Sequence, residues 1–227
     1  MQARRFFALL ALVAAAFFFV RTAQAADPVS AEKAGALARL DAAAASFHTA
    51  TANFEFDSIQ IDPIPDKDAM TGVAYYERNG GRFAMAAHIA AHNGRPAARA
   101  YIFSQGKLRI SDTGKEKDAR TYDEASKYES YLMLGFGASG KDLEAKWKIV
   151  YRGKEKIDGI VADKFELIAR DPKVLKLFPK VTIWMDTARA VSLKQVFDEG
   201  EGQSRVCLYT HIEVNRPLPK TAFDFAK

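Results

Sequence analysis

The chain has 227 residues, of which 48% are hydrophobic and 11% are aromatic, and its formal net charge is +5. A chain of about 200 residues with this composition suffices for one domain with a substantial core, or at most for a small pair of domains. Its single cysteine, Cys207, excludes an internal disulfide and a zinc site built on several thiolates.

The first 25 residues have the pattern of a secretory signal peptide. Arg4 and Arg5 form a basic start, residues 6–20 are an unbroken apolar run, and residues 23–25 read Ala-Gln-Ala. The alternative is a membrane anchor, but the run is shorter than the roughly 20 residues needed to cross a bilayer. We expect cleavage after Ala25 and a folded domain over residues 26–227. Without the three arginines of the leader the net charge falls to +2, and no basic stripe predicts nucleic-acid binding.

The periodicity of the mature chain begins as helical and then becomes that of strands. Residues 29–50 predict a helix, with Ser30 as N-cap and an apolar stripe of Ala34, Leu37, Leu40, Ala44 and Phe47. After it, alternating patterns and turn signals predict strands joined as antiparallel hairpins. These strands cover residues 51–61, 72–78, 82–90, 99–104, 107–111, 146–152, 161–169, 180–186, 190–198, 204–214 and 221–225.

Three stretches depart from simple alternation. In the first strand Phe54 and Phe56 share one parity and Ile59 and Ile61 the other, which predicts a bulge near Ser58 or the end of the strand. Residues 123–145 predict one or two short helices with a Gly-x-Gly hinge. Residues 170–179 predict a loop between prolines.

These elements predict an α+β protein that is mainly β. About ten or eleven strands with one apolar face make a sheet wide enough to curl. The few helices cannot cover it, so a curled sheet would enclose an apolar cavity under a helical lid. A fully packed two-sheet sandwich is the alternative.

The chain carries no recognisable catalytic or metal-binding motif. The histidines His48, His88, His92 and His211 have no zincin spacing, and there is no P-loop, nucleophile elbow or dinucleotide fingerprint. Carboxylates are spread over strands and turns. We therefore expect no cofactor, no metal and no enzymatic activity.

Three local patterns resemble the LolA-like periplasmic lipoprotein carriers. The first is residues 72–78, Gly-Val-Ala-Tyr-Tyr-Glu-Arg. The second is residues 159–167 together with residues 181–186, which read Val-Thr-Ile-Trp-Met-Asp. The third is Phe-Asp-Phe at residues 223–225. The resemblance follows the order of elements over most of the mature chain. Asn79 stands where the family usually has proline after the arginine.

This resemblance implies an unclosed antiparallel β-barrel of about ten or eleven strands with a helical lid over an apolar cavity. It implies a monomeric periplasmic carrier that holds the acyl chains of lipoproteins. Its partners would be an inner-membrane lipoprotein-releasing transporter and an outer-membrane acceptor. The residue matching the family's arginine is Arg78, which would latch the lid by bonding its backbone. A solvated strand end is the alternative role for Arg78.

Aromatic and aliphatic residues near these motifs are the candidates to line the cavity or its rim. They are Phe54, Phe56, Tyr75, Tyr76, Leu132, Leu134, Phe136, Trp147 and Trp184. The sequence leaves open which face of each strand points inward. It also leaves open a lipid- or lipoprotein-sensing domain of the same fold as the alternative function.

Overall fold

A computed structural model of the protein describes residues 28–80, 82–123, 125 and 134–226. The predicted signal peptide lies outside these residues. The helices are α1 (Pro28–Ala45), α2 (Gly140–Lys146) and α3 (Pro172–Leu177). The strands are β1 (Thr49–Gln60), β2 (Asp66–Asn79), β3 (Arg82–His92), β4 (Arg95–Ser104), β5 (Lys107–Ser111), β6 (Arg120–Tyr122), β7 (Trp147–Ile157), β8 (Ile160–Ala169), β9 (Lys180–Asp186), β10 (Val191–Gly200) and β11 (Gln203–Val214).

The eleven strands of the described chain form one sheet in the order β6-β5-β4-β3-β2-β1-β11-β10-β9-β8-β7. Every neighbouring pair in that order is antiparallel. The chain therefore runs outward to one edge through β6, reaches the other edge at β7 after α2, and comes back to the centre at β11. Because β6 and β7 lie at opposite ends, the barrel is unclosed, and the predicted fold class is confirmed.

Helix α1 covers the inner face of one half of the sheet. Its buried residues Leu37, Leu40 and Ala44 belong to one apolar cluster with Phe165 on β8 and Ile183 on β9. The fourth buried residue of the helix is Ala36, whereas the predicted Ala34 is exposed. Close contact with α2 depends on a glycine, since a β-carbon on Gly140 would lie 2.7 Å from the carbonyl oxygen of Leu37.

Several predicted element bounds differ from the structure. Residues 221–225 form turns and coil rather than a strand, and they pack on the outer face, where Phe225 joins a cluster with Ala86 and Ile102. The three residues of β6 and helix α3 were not predicted, because neither segment is long enough for its periodicity to show. β1 has no bulge near Ser58, since its pairing with β2 is continuous from Thr49 to Gln60. Ile59 therefore lies on the face opposite to Phe56, and Ile61 lies beyond the end of the strand.

Gly72 occupies a place on β2 where a side chain does not fit. A β-carbon there would lie 2.0 Å from the carbonyl oxygen of His88, and the β2–β3 register shifts between Thr71 and Gly72.

Gly72→Ala is expected to destabilise the protein by about 2–3 kcal/mol, because the backbone of β3 must move. Gly35→Ala in α1, whose nearest neighbour is the tip of Arg39 at 3.6 Å, is expected to stabilise it by about 0.5–1 kcal/mol. Urea unfolding of both variants measures these two changes in the free energy of unfolding. Equal changes in the two variants would contradict the prediction.

A polar cluster fixes α1 to the sheet. The carboxylate of Asp163, which is 5% exposed, accepts hydrogen bonds from Arg39 at 2.8 Å, Thr187 at 2.7 Å and Tyr151 at 2.9 Å. Burial alone would raise the pKa of Asp163, but the hydrogen bonds from Thr187, Arg39 and Tyr151 outweigh it and lower the pKa. The ionised carboxylate therefore stabilises the docked helix at neutral pH.

Asp163→Asn is expected to lower the free energy of unfolding by about 2 kcal/mol at pH 7, because it removes a charged hydrogen-bond acceptor. The lowered pKa means that this contribution is present above the unfolded pKa of about 3.9 and is lost as the pH falls through the folded value. Urea unfolding should thus show a smaller difference between wild type and variant at about pH 3. Asp158→Asn, in the exposed β7–β8 turn, is the control. A difference that is the same at both pH values would contradict the prediction.

Candidate functional site

The inner face of the sheet forms an apolar cavity of about 290 Å³ that is open to solvent on one side. Its wall comes from the central strands β1, β2, β3, β10 and β11, from the residue after α3 and from Leu134. The lining residues are Phe54, Phe56, Ala74, Tyr76, Met85, Ala87, Leu134, Phe178, Gln195, Phe197, Arg205, Cys207 and Tyr209. A cavity of this size and lining falls at the lower end of the range for small-molecule sites.

Residues 134–138, which we term the closing segment, lie over one side of this cavity. Phe136 forms an antiparallel bridge with Val191 at the start of β10, and the flanking bonds are Gly137 N to Ala190 O at 2.9 Å and Ser192 N to Gly135 O at 2.6 Å. The ring of Phe136 is fully buried and stacks on Tyr76, with 3.8 Å between ring centroids. The segment thus places an aromatic ring against the cavity wall.

The closing segment has glycine on both sides of Phe136, and the backbone requires it. Gly135 and Gly137 have φ angles of +85° and +69°. A β-carbon on Gly137 would lie 2.4 Å from the ring of Phe47, and one on Gly135 would lie 2.5 Å from Ser192. This close approach explains the Gly-x-Gly pattern noted in the sequence.

Arg78, at the end of β2, contacts the closing segment. Its Nη1 donates a hydrogen bond to the carbonyl oxygen of Gly137, and its Nη2 lies 3.5 Å from a carboxylate oxygen of Asp142 in α2. Burial would raise the pKa of Asp142, but hydrogen bonds from Ser139 and the charge of Arg78 lower it. The side chain of Arg78 is 27% exposed. One guanidinium therefore bridges the sheet, the closing segment and the start of α2.

Gln195 makes a second contact of this kind from the other side of the cavity. Its side-chain nitrogen donates to the carbonyl oxygen of Leu134 at 2.6 Å, and the residue is 3% exposed. Gln195 is not among the residues that the sequence predicts for the site. The sequence does place Gln195 two residues before Phe197, and hence on the same face of the strand. A glutamine buried beside an aromatic residue needs a hydrogen-bond partner for its amide.

Polar groups deep in the cavity wall are uncharged at neutral pH. The hydroxyl of Tyr76 donates to that of Tyr209 at 3.4 Å, and burial raises the pKa of both tyrosines. Burial also raises the pKa of the Cys207 thiol, to about 12. Because its thiolate is not populated near pH 7, Cys207 acts here as an apolar wall residue.

The structure places the predicted site residues in three groups. Phe54, Phe56, Tyr76 and Leu134 line the cavity, and Phe136 packs beside it. Trp147 lies in the cluster under α1, while Tyr75 and Trp184 lie on the outer face of the sheet. Leu132 lies outside the described residues.

No helix within the described ranges is long and apolar enough to cross a membrane. In that same part of the chain, no group of three or more His, Cys, Asp and Glu side chains is placed to hold a metal ion. The described site offers an apolar cavity, side-chain hydrogen bonds to the segment beside it, and one cation, Arg205, in its wall.

Comparison with solved structures finds the same fold at low sequence identity. MucB matches with a TM-score of 0.53 and 14% identity over 86% of this chain and 63% of its own. In the Pseudomonas aeruginosa MucA/MucB complex the match has a TM-score of 0.51, with 13% identity over 86% of this chain and 61% of that one. This chain thus spans less than two thirds of MucB. An uncharacterised conserved protein from Thermus thermophilus matches with a TM-score of 0.52 and 9% identity, over 87% of this chain and 94% of its own.

No family model matches the sequence. No curated protein matches it either. Likeness at these identities establishes the architecture, which is an unclosed antiparallel barrel with helices across its inner face. The chain shares this fold with MucB and the Thermus thermophilus protein, and it is the architecture that the sequence predicts.

Proposed function

We propose that this protein is a periplasmic carrier that shields the acyl chains of lipoproteins during transfer from the inner to the outer membrane. The observation that supports this most is the apolar cavity of about 290 Å³ beside a short closing segment, which is held by side-chain bonds from Arg78 and Gln195 and by backbone bonds to β10. Each methylene moved from water into such a cavity contributes about 0.8 kcal/mol. The role requires no catalytic residue, cofactor or metal.

The closing segment suits reversible binding. Arg78 and Gln195 each donate one side-chain hydrogen bond to it, and bonds of this kind contribute about 1–3 kcal/mol each. Two backbone hydrogen bonds to β10 and the buried ring of Phe136 add to these contacts. Displacement of the segment therefore requires burial of a long run of methylenes, each of which contributes about 0.8 kcal/mol. A guest with long acyl chains can displace the segment, and the segment can close again when an acceptor removes the guest. An inner-membrane transporter and an outer-membrane acceptor would be the two partners of a monomeric carrier.

Native mass spectrometry of protein purified from the periplasm tests the carrier role. We expect acylated species to co-purify, and we expect deletion of the gene to leave lipoproteins at the inner membrane. The absence of bound acyl groups together with correct lipoprotein sorting in the deletion strain would refute the proposal.

Sensing is the second candidate, and the likeness to MucB, which has been solved in complex with MucA, favours it. A sensor of lipids or mislocalised lipoproteins would use the same cavity but would hold a stable protein partner. Affinity purification from cross-linked cells separates the two roles, because a carrier would yield transient transfer partners and a sensor one stoichiometric complex.

A further inference from the structure

Arg205 is the one charged residue among the described residues that line the cavity. It lies on β11 with the same strand parity as Cys207 and Tyr209, which face the cavity with it. Its side chain is 45% exposed, whereas Cys207 is 5% exposed. The cavity wall thus passes along β11 from a buried interior to a guanidinium in contact with solvent.

Aromatic rings surround this guanidinium on the cavity side. The Arg205 guanidinium carbon lies 5.8 Å from the ring centroid of Phe178, and Phe197 is the cross-strand partner of Arg205. The two phenylalanine rings contact each other, with 5.2 Å between centroids. A cation held against apolar rings is poorly hydrated on that side, which strengthens its attraction for an anion.

The end of the sheet that carries Arg205 also exposes aliphatic side chains. Arg205 pairs with Ser58 near the end of β1, and the chain then continues through Ile61 and Ile64. These two isoleucines are 64% and 72% exposed. The amide of Ile61 donates to the carbonyl oxygen of Gly202 at 3.0 Å, which fixes this loop beside the β10–β11 turn. This end of the sheet thus combines apolar side chains with a cation. These two features match the acyl chain and the acidic head group of an amphiphile.

We propose that Arg205 binds the acidic head group, a carboxylate or a phosphate, of a single-chain lipid whose acyl chain lies in the cavity. Single-chain acidic lipids would then be a second class of ligand beside lipoproteins. The proposal rests on the proposed function in one respect, which is that the cavity accepts acyl chains. A guanidinium presents five N–H donors in a fork that fits either oxyanion. Arg205 lines the same cavity of about 290 Å³ as the aromatic residues, so the head group and the acyl chain can belong to one molecule.

Glu199 occupies the position that the head group would take beside Arg205. Its carboxylate lies 2.8 Å from Arg205 Nη2, and its side chain is 20% exposed. This contact engages one nitrogen of the guanidinium and gives the cation a partner from the protein itself. An incoming acid must displace Glu199 from the guanidinium, so Glu199 competes with the head group for Arg205.

Titration calorimetry with three probes of equal chain length tests the proposal. The probes are palmitate, palmitoyl lysophosphatidate and the uncharged hexadecanol. We expect both acids to bind about tenfold more tightly than hexadecanol, the size of one partly exposed charge-assisted contact. The two acids separate a carboxylate head from a phosphate head, and the tighter of them identifies the natural class.

Arg205→Met should abolish this preference, so that the variant binds the two acids no more tightly than hexadecanol. Arg109→Met is a matched control: Arg109 is also paired with a glutamate, Glu116 at 2.6 Å, and lies over a phenylalanine ring, but it is on the outer face. Glu199→Gln removes the competing carboxylate and should tighten binding of both acids severalfold.

Equal affinity of the wild type for acids and alcohol would overturn the head-group site and leave the acyl cavity standing. Failure of all three probes to bind would overturn the proposed function as well. Loss of acid preference in Arg109→Met to the same extent as in Arg205→Met would show that a general charge effect, and not a site, produces it.

Discussion

Replacing Arg78 with leucine is expected to raise the affinity of the cavity for acyl chains by about tenfold and to slow their release. The variant removes the charge-assisted hydrogen bond from Arg78 to the carbonyl oxygen of Gly137, which contributes about 1.5–3 kcal/mol to closure. The low end of this range applies because the arginine is partly exposed. If guests bind only when the closing segment is displaced, their apparent affinity rises with the open fraction.

The measurement is equilibrium binding and stopped-flow release of a fluorescent fatty acid. Arg152→Leu is the control, because Arg152 also makes charge-assisted hydrogen bonds on a strand, to Glu166 at 2.7 and 2.9 Å, but far from the closing segment. Unchanged affinity and release in Arg78→Leu would refute the latch. A tenfold change in both variants would assign the effect to the loss of surface charge.

Alternation along the sequence predicted the strands well, since ten of the eleven observed strands overlap predicted ones. It did not predict which face points inward. On β11, Cys207 and Tyr209 face the cavity, whereas Ile212 and Val214 join the inner cluster at the other parity. The β1–β11 register shifts between Thr51 and Asn53, opposite His211 with φ of +50°. One inserted residue reverses the faces of a strand, and no local pattern signals where it lies.

The two tryptophans show how side-chain size alone misleads about a site. Trp184 lies on the outer face between two lysines, Lys164 and Lys194, whose nitrogens are each 4.8 Å from its ring centroid. Trp147 starts β7 beneath α1 and is 2% exposed. Both rings are buried by the protein's own residues, as large aromatic residues commonly are. Their place relative to the cavity depends on strand parity and on the position of α1.

Contacts to the closing segment could be found only in three dimensions. Arg78 and Gly137 are separated by 59 positions, and Gln195 and Leu134 by 61. The resemblance to LolA-like proteins drew attention to Arg78, and the structure gives it a backbone partner in the closing segment. Nothing comparable pointed to Gln195. A single glutamine in a strand is ordinary unless the sheet is known to bury it.

Arg78 on β2 and Gln195 on β10 both bind the closing segment. The hydrogen bonds of Arg78 and Gln195 end on the carbonyl oxygens of Gly137 and Leu134, which flank Phe136. Closure therefore places the Phe136 ring against Tyr76 and Tyr209. Because those two tyrosines line the cavity, the protein fills space beside it with its own ring when the segment is closed.

Phe136→Ala should separate the role of this ring in guest binding from its role in stability. Removal of a fully buried phenylalanine costs about 3–5 kcal/mol, and Phe165→Ala should cost a similar amount because Phe165 is equally buried, at 0% exposure. Phe165 lies under α1 and does not line the cavity. Only Phe136→Ala should open space continuous with the cavity wall, and we expect it to tighten acyl binding severalfold. Urea unfolding and fatty-acid titration of both variants test this, and equal changes in binding would show that the ring does not compete with the guest.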